Sequence, residues 1–342
     1  MAARSKYMSA RVVTVFGASG FLGTAVVRAL VKRDYRVLVA VRRPDLAGHL
    51  QPLGNVSQIH ALQANVRFPA SVANAVREAD AVVNLVGILQ PTGRQTFSAV
   101  QAEGARAVAE AAAARGLDRV VHVSAIGADP DSPSAYARSK AAGEAAALAA
   151  CPDSVIVRPS IVFGPGDSFF NRFAALGRSL PVMPLAYPDT RFQPVYVGDV
   201  ADAIARAVDG HVPGGRAYEL GGPEVKSFRE LVEFTLAHID RRRRIVPLSP
   251  GLARWQATLM EALDTLALGL VPNDWKLTRD QLLLLQRDNI VSPEALREGR
   301  TFEAFGIAPA AMEAIVPAYL VRYRPRGQFT QPDQRQENQH SV

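Results

Sequence analysis

The sequence is short of cysteine, of clustered histidine and of long apolar runs, and each shortage excludes a class of protein. The single Cys151 excludes an internal disulfide framework and a cysteine-based zinc cluster. The six histidines are scattered and form no H-x-x-x-H pair, so no metal site is expected. No uninterrupted apolar run reaches the length of about 18 residues that a spanning helix needs. The first residues also lack the apolar core of a signal peptide, so no secretory leader is expected.

Lysine is scarce as well, although the chain is basic. The formal net charge is +7, and of the 39 basic residues only five are lysine. The basic residues are spread along the chain, and the one dense run, RRRR at 241–244, contains no interleaved aromatic residue. Nucleic-acid binding is therefore not expected. We expect the run to be a solvated helix end; a docking patch for an acidic partner or for membrane headgroups is the alternative.

Apolar runs rich in Val and Ile alternate with helix-period segments over roughly the first half of the chain. The expected strands are 11–16, 36–41, 81–87, 119–127 and 154–162, and the expected helices are 21–33, 69–78, 95–115 and 134–150. Strands that alternate with helices are typical of a parallel sheet covered on both faces. The pattern predicts an α/β fold with a Rossmann-type, doubly wound parallel sheet and a smaller, mainly helical C-terminal lobe.

The domain boundaries follow from shifts in composition. The expected units are an NAD(P)-binding Rossmann domain at 11–165 to which 193–222 returns, a smaller lobe at 166–192 and 223–328, and a disordered polar tail at 329–342. An apolar helical stripe at 251–270 is expected to pack on its own domain, with a partner or membrane surface as the alternative.

Three glycines spaced three apart stand between the first strand and the first helix, in VFGASGFLG at 15–23. Gly17 permits the tight turn, Gly20 lets the backbone approach a pyrophosphate, and Gly23 lets the helix pack close to the strand. The helix then offers its free N–H groups and positive dipole end to the phosphates. We predict a dinucleotide-binding turn.

The end of the second strand predicts which dinucleotide is bound. An NAD-selective site usually has Asp or Glu here, whereas this chain has Arg42 and Arg43, whose guanidinium groups can pair with a 2′-phosphate. NADP(H) is therefore preferred over NAD(H), with Arg42 the slightly better candidate. Asn65 follows the third strand, where a residue in contact with adenine is expected.

A serine, a tyrosine and a lysine are placed for hydride-transfer chemistry. Tyr136 and Lys140 lie four apart on one face of a predicted helix. Ser124 ends the preceding strand, at the sheet edge where open α/β sheets bind ligands. A nearby ammonium lowers the pKa of a phenol, which then exchanges a proton with a substrate oxygen that the serine orients. Pro159 and Ser160 are expected to border the nicotinamide half of the crevice.

These motifs, taken in order, resemble those of the extended or atypical short-chain dehydrogenases/reductases. The resemblance runs from about residue 11 to 225 and rests on GASGFLG, HVS, Y-x-x-x-K, RPS-x-x-FG and QPVYVGDVA. It implies the fold, catalytic roles for Ser124, Tyr136 and Lys140, and an NAD(P) site. That site comprises Gly17, Ser19, Gly20, Phe21, Leu22, Gly23, Arg42, Arg43, Asn65, Val66, Val86, Gly87, Tyr136, Lys140, Pro159 and Ser160.

A narrower resemblance is to the short-chain-dehydrogenase-like accessory subunits of respiratory complex I and their bacterial relatives. It is carried by VVNLVGIL, HVSAIGAD, IVRPSIVFGPGDSFFNRF and a C-terminal segment at 302–329 that is similar to the bacterial proteins. It implies structurally held NADPH, complex I subunits near the quinone module as partners, and proximity to the membrane surface. The implied location is the cytoplasmic face of the bacterial inner membrane, or the mitochondrial matrix side in a eukaryote.

Three functions stay open at this point. The first is an accessory or assembly protein of complex I for which NADPH is a folding ligand. The second is an active NADPH-dependent reductase, dehydrogenase or sugar-nucleotide epimerase that uses Ser124, Tyr136 and Lys140. The third is a regulator that senses the NADP(H) ratio through partner binding. Whether any substrate is turned over is left undecided by the sequence.

Overall fold

The computed structural model describes residues 11–249, 251, 252, 258 and 278–327. Its strands, in chain order, are β1 Val12–Phe16, β2 Arg36–Val41, β3 Ile59–Gln63, β4 Ala81–Asn84, β5 Val120–Val123, β6 Val155–Pro159, β7 Val162–Phe163, β8 Val182–Ala186, β9 Arg191–Phe192, β10 Val195–Tyr196, β11 Arg216–Leu220, β12 Lys226–Ser227 and β13 Arg244–Leu248. Its first seven α-helices are α1 Phe21–Val31, α2 Pro69–Ala75, α3 Glu103–Ala114, α4 Ala135–Ala150, α5 Phe169–Ser179, α6 Val197–Asp209 and α7 Phe228–His238. Shorter helices follow at Arg279–Leu284, Pro293–Arg297 and Met312–Leu320.

Seven of these strands form one parallel sheet in the order β11-β6-β5-β4-β1-β2-β3. The chain runs outward from β1 to one edge and then returns to the other side of β1. The strand order therefore reverses between β1 and β4, which is the position where doubly wound sheets bind ligands. The predicted α/β class with a Rossmann-type sheet is confirmed.

Helices cover both faces of the sheet, as alternation along β1 illustrates. Val13 and Val15 are fully buried in the cluster that α1 and α6 share with the sheet. Phe16 is buried in the opposite cluster with α2 and α3, and Thr14 Oγ1 on that face donates to the carbonyl of Ala75 at 2.8 Å. A strand buried on both faces reads as a continuous apolar run, and this is why β1 was visible in the sequence.

The smaller lobe has its own aromatic core. Phe163, Phe170 and Phe228 are buried there with residues of α7 and of the Met312–Leu320 helix. Strand β8 pairs with β13 in this lobe, and α6 and β11 return the chain to the large sheet. The lobe boundaries given above stay a prediction.

The elements differ from the expected ones in three places. Strand β3 was expected before Asn65 but was given no bounds, and the expected helix 95–115 contains a π-helical turn at Ser98–Ala102 before α3. The RRRR run is only partly solvated, because Arg243 Nε donates to the carbonyl of Gly177 at 2.8 Å and Arg244 begins β13.

The tail 329–342 lies outside the described residues, as does most of the 251–270 stripe. Within the described part of the chain, no helix is both long and apolar enough to cross a membrane.

Candidate functional site

The glycine turn has the backbone geometry that a dinucleotide site requires. Gly17 has a φ of +79°, and a Cβ there would lie 3.2 Å from the carbonyl carbon of Leu85 at the end of β4. A Cβ on Gly23 would lie 2.3 Å from the carbonyl oxygen of Gly17, which is far inside van der Waals contact. Glycine is needed at both positions because α1 packs directly on the turn.

The start of α1 is open to an anion. Gly20 is the N-cap and supplies no capping side chain, and no acidic residue stands in the first turn. Ser19 and Gly20 are exposed, and Phe21 and Leu22 are half-buried. The first N–H groups of a helix lack intrahelical partners and carry the positive end of the dipole, so a pyrophosphate fits this end.

The two arginines after β2 differ in whether their guanidinium groups are paired. Arg43 pairs with Asp45, with Nη2 at 2.7 Å from Oδ2, and this ion pair raises the pKa of Arg43. Arg42 is exposed and makes no hydrogen bond or ion pair to any residue that the structure describes. Arg42 is therefore the freer of the two cations for a 2′-phosphate.

The region expected at adenine is built around Asn65. Its Oδ1 accepts from the backbone N–H of Arg67 at 3.2 Å, which shapes a tight turn after β3. Val66 is buried and packs against Gly104, where a Cβ would lie 2.8 Å from Val66 Cγ2. The side chain of Asn65 thus has a structural role in the turn, and adenine contact stays a prediction.

The ends of β4 and β5 bring the predicted catalytic residues to one sheet edge. Lys140 is buried and its Nζ donates to the carbonyl of Val123 at 3.2 Å, directly before Ser124. A Cβ on Gly87, after β4, would lie 3.3 Å from the same Nζ. The neighbouring Val86 is held by its N–H, which donates to Asn84 Oδ1 at 3.1 Å.

Ser124 carries a buried hydroxyl that lacks a partner. The residue is 3% exposed, and its Oγ has no hydrogen-bond partner among the described residues. A buried polar atom left unpaired costs free energy, and such atoms are concentrated where a ligand completes the bonding. Together with the glycine turn, this hydroxyl fits a bound dinucleotide or a substrate beside it.

Tyr136 stands near Lys140 in an apolar setting. Its ring meets Phe97 edge-to-face at 5.8 Å, and Lys140 Nζ lies 5.9 Å from the ring centre. Burial, followed by the negative charge of Asp280, raises the pKa of Tyr136 to about 12. Burial lowers the pKa of Lys140 from 10.5 to about 8. The expected lowering of the phenol pKa by Lys140 is therefore wrong, because burial and Asp280 both raise it.

The RPS segment is engaged with the C-terminal lobe. Ser160 Oγ donates to Asn289, whose carbonyl oxygen and Oδ1 lie at 2.9 and 2.7 Å. Asn289 Nδ2 in turn donates to the carbonyl of Ile126, the residue whose N–H binds the carbonyl of Pro159 at 3.1 Å. Pro159 and Ser160 are buried at the end of β6, and the serine hydroxyl is bound to protein. Their position beside the nicotinamide stays a prediction.

Sequence reasoning missed several polar residues that hold this site. Buried Gln101 donates from Nε2 to the carbonyl of Ile88 at 2.9 Å and accepts from Ser139 Oγ at 2.5 Å, next to Tyr136. Asp280 and Asn289 were missed as well. Gln101 lies in the π-helical turn, and Asp280 and Asn289 are more than a hundred residues from their partners, so no local pattern points to them.

Comparison with known proteins agrees with this geometry. Residues 13–221 match the NAD dependent epimerase/dehydratase family. The chain is 33% identical over 324 residues to NADH dehydrogenase [ubiquinone] 1 alpha subcomplex subunit 9, mitochondrial, of Arabidopsis thaliana, covering 94% of this chain and 80% of that protein. It is 35% identical over 190 residues to the ceramide reductase of Caulobacter vibrioides, covering 56% and 58% of the two chains.

Among solved structures, the fold is similar to that of the NADPH-dependent quinone oxidoreductase of Escherichia coli complexed with NADPH. The TM-score is 0.66 at 19% identity, over 90% of this chain and 99% of that one. At this identity the likeness concerns the fold. On the family match and the relative that covers nearly its whole length, the chain belongs to the NAD dependent epimerase/dehydratase family and is a homologue of the alpha subcomplex subunit 9 proteins.

Proposed function

We propose that the protein is an accessory or assembly component of respiratory complex I that holds NADP(H) as a structural ligand. The observation that carries this proposal is the similarity to the Arabidopsis thaliana subunit, which spans 94% of the chain. The family match ends at residue 221, so that similarity includes much of the smaller lobe. A shared dinucleotide domain alone does not account for a likeness of this extent.

The described contacts support a ligand that is held between two lobes. Asn289 binds Ser160 at the sheet edge, and Asp280 binds the first turn of α4, the helix of Tyr136 and Lys140. A dinucleotide against the same edge would stabilise the native state by mass action without turning over. The glycine turn would hold the pyrophosphate, and Tyr136 and Lys140 would bind the ribose; the hydride that a reduced nicotinamide can supply would not be transferred in this role.

The preference for NADP(H) over NAD(H) is part of the proposal. It is supported by the absence of an acidic residue directly after β2 and by the unpaired guanidinium of Arg42 among the described residues. A guanidinium matches the geometry and the charge of a 2′-phosphate. We place the protein on the cytoplasmic face of a bacterial inner membrane, or on the matrix side in a mitochondrion, next to the quinone module of complex I.

The test is a pull-down of the tagged full-length chain from native membranes in mild detergent. We expect complex I subunits in the eluate, together with tightly bound NADP(H) identified by its absorbance and mass. Recovery of the monomer or homodimer alone, from membranes with intact complex I, would overturn the accessory role. An eluate that contains only NAD(H) would overturn the cofactor preference while leaving the accessory role in place.

A second candidate function, an NADPH-dependent carbonyl reductase, is favoured by one observation: the buried hydroxyl of Ser124, which has no partner among the described residues and follows the Val123 carbonyl that Lys140 binds. With a phenol pKa of about 12, Tyr136 is protonated at neutral pH, which suits donation to a carbonyl oxygen. Tyr136→Phe should then abolish oxidation of NADPH by a panel of long-chain and small carbonyl compounds and leave NADPH affinity nearly unchanged. A wild-type protein that reduces no compound of the panel would remove this candidate.

A further inference from the structure

A groove of 640 Å³ runs between α1 and α6, and it begins at the glycine turn, where Ser19 and Gly20 line its near end. The two helices run side by side in the same direction. Gly164 lies against Phe21 and Val197 at the start of both helices, and beyond the end of α1 Tyr35 donates to Asp209 at 2.7 Å. From Phe21 to Arg33 the groove spans about 18 Å at the rise of an α-helix.

The two ends of the groove differ in chemistry. Near the glycine turn, its walls are Phe21, Tyr196 and Pro165. Farther along α1, they are Arg28, Lys32 and Arg33. Most of the lining residues between these ends are small: Ala25, Ala29, Gly198 and Ala201. Small side chains between two helices leave room for an extended segment to lie in the groove.

Two cations of the groove are free. Asp202 is the one carboxylate among its described lining residues, and it is bound to both Arg33 and Arg206. Arg33 also pairs with Asp209 at 3.1 Å. Arg28 and Lys32, by contrast, are exposed, and their side chains form no hydrogen bond or ion pair with a residue that the structure describes. They lie four apart on one helix face, so both can meet the same ligand.

We propose that this groove docks a carboxylate-rich segment of a partner protein, with an apolar side chain against Phe21 and Tyr196 and acidic side chains on Arg28 and Lys32. A concave groove does not fit a flat lipid headgroup surface, and two free cations are few for a nucleic-acid backbone. An extended acidic peptide matches both the shape and the charge. The proposal rests on the accessory role proposed above and names the chemistry of one partner contact.

The direct test is fluorescence anisotropy with a short labelled peptide that has leucines at one end and glutamates at the other. A second peptide with lysines in place of the glutamates is the probe control. We expect the acidic peptide to bind and the basic peptide not to bind. In the double variant Arg28→Glu/Lys32→Glu, binding should weaken roughly tenfold or more, because two attractive pairs become repulsive.

The matched control is Arg77→Glu/Arg115→Glu, which makes the same change in net charge on exposed residues of the α2–α3 side of the sheet. It should bind the acidic peptide like wild type. Both double variants place glutamates in, at or just beyond a helix C-terminus, so the melting temperature should fall by a similar small amount in both. NADP(H) affinity, measured by nicotinamide fluorescence, should stay unchanged in both. This separates the Arg28–Lys32 end of the groove from the dinucleotide site. Loss of peptide binding with intact NADP(H) affinity and intact complex I recovery therefore bears on that end of the groove alone.

Several outcomes would overturn the proposal. They are no binding of the acidic peptide, equal weakening in both double variants, or equal binding of the basic peptide. Loss of a wild-type homodimer in Arg28→Glu/Lys32→Glu would instead assign the groove to a second copy of the chain. Binding of phosphatidylglycerol vesicles that depends on Arg28 and Lys32, without peptide binding, would assign it to a membrane surface.

Cross-linking in native membranes tests the same contact in place. A carbodiimide joins a lysine amine to a carboxylate that touches it, and Lys226 with Glu224 at 2.7 Å is the internal positive control. We expect Lys32 linked to an Asp or Glu of another polypeptide. A sample in which Lys226 is linked and Lys32 is not would contradict the docking of a carboxylate-rich segment.

Discussion

The backbone N–H of Tyr136 donates to Oδ2 of Asp280 at 3.3 Å, although the two residues are 144 positions apart in the chain. The same carboxylate accepts from Ser134 Oγ at 2.9 Å and from the N–H of Ala135 at 2.7 Å. Asp280 also stands in the first turn of its own helix. One negative charge therefore faces two helix N-termini, and it is favourable at both. The smaller lobe thus fixes the start of the helix that carries Tyr136.

Removal of this carboxylate should be costly. Asp280→Ala deletes the acceptor for three donors at the start of α4, one from the N-cap Ser134 and two from the helix, and we expect it to lower the free energy of unfolding by about 1–3 kcal/mol. Urea denaturation of the apoprotein measures this. The control is Asp131→Ala, a nearby exposed aspartate, with an expected change of roughly 0.5 kcal/mol or less. Asp280→Asn should also lower the pKa of Tyr136 from about 12, which NMR of ring-labelled tyrosine reports. Equal destabilisation by both alanine variants would contradict the role of Asp280.

The close packing of α1 on the glycine turn gives a second prediction. In Gly23→Ala the new Cβ meets the carbonyl oxygen of Gly17 at 2.3 Å, so α1 must move away from the turn. We expect a loss of about 1–3 kcal/mol in stability and at least about a tenfold loss in NADP(H) affinity. Gly48→Ala is the matched control, because nothing lies within 4 Å of a Cβ at that position. Wild-type NADP(H) affinity in Gly23→Ala would show that the turn does not contact the ligand.

The sequence predicted those parts of the fold whose signal is local. The buried β1 and the glycines after it form one short pattern, and the steric reasons found at Gly17 and Gly23 are those that the pattern predicted. The bounds of β3, the strand expected before Asn65, could not be given because it is an edge strand. Only Ile59 is fully buried in it, and His60 and Gln63 are exposed, so the apolar run that marks an inner strand is absent.

The parts that could not be predicted depend on contacts between distant segments. Asp280 and Asn289 reach α4 and Ser160 from the other lobe, and the residues beside them carry no motif. The sequence also predicted a lowered pKa for Tyr136 where the structure raises it, because the shift depends on such distant contacts. Spacing on a helix places Lys140 near the phenol, but it contains no information on how deeply the pair is buried or that Asp280 faces it.

Arg43 is in an ion pair with Asp45 and Arg42 is not, so the two arginines should contribute unequally to the preference for NADP(H) over NAD(H). Arg42→Ala should weaken NADPH binding roughly tenfold to a hundredfold, the range expected for one charge-assisted phosphate contact, and leave NADH binding nearly unchanged. Arg43→Ala should have a much smaller effect on the NADPH to NADH ratio, because that guanidinium already pairs with Asp45. Fluorescence titration with both nucleotides measures the two ratios. Equal effects of the two substitutions would contradict this assignment, and an unchanged ratio in both would contradict a 2′-phosphate contact at this strand end.

Buried Lys140 predicts a conflict between stability and ligand binding that depends on pH. Its pKa falls from 10.5 in the unfolded chain to about 8 in the folded one, because burial disfavours the ammonium. Its contribution to stability is therefore fully present above pH 10.5 and is lost as the pH falls through 8. At pH 7 the charged group is a net cost, so Lys140→Met should raise the free energy of unfolding of the apoprotein by about 1–3 kcal/mol.

The pH profile distinguishes this effect from better packing by methionine. The stability advantage of Lys140→Met over wild type should shrink steadily from pH 8 to pH 10, because the wild-type lysine becomes neutral in the folded state. Burial also raises the pKa of Tyr35 and of Tyr136, but both tyrosines are present in both proteins and cancel in the difference. Lys32→Met, at an exposed lysine, should follow the wild-type profile. The stabilised Lys140→Met should bind NADP(H) more weakly than wild type. If the difference in free energy of unfolding between Lys140→Met and wild type does not change with pH, burial of the Lys140 ammonium does not destabilise the folded protein.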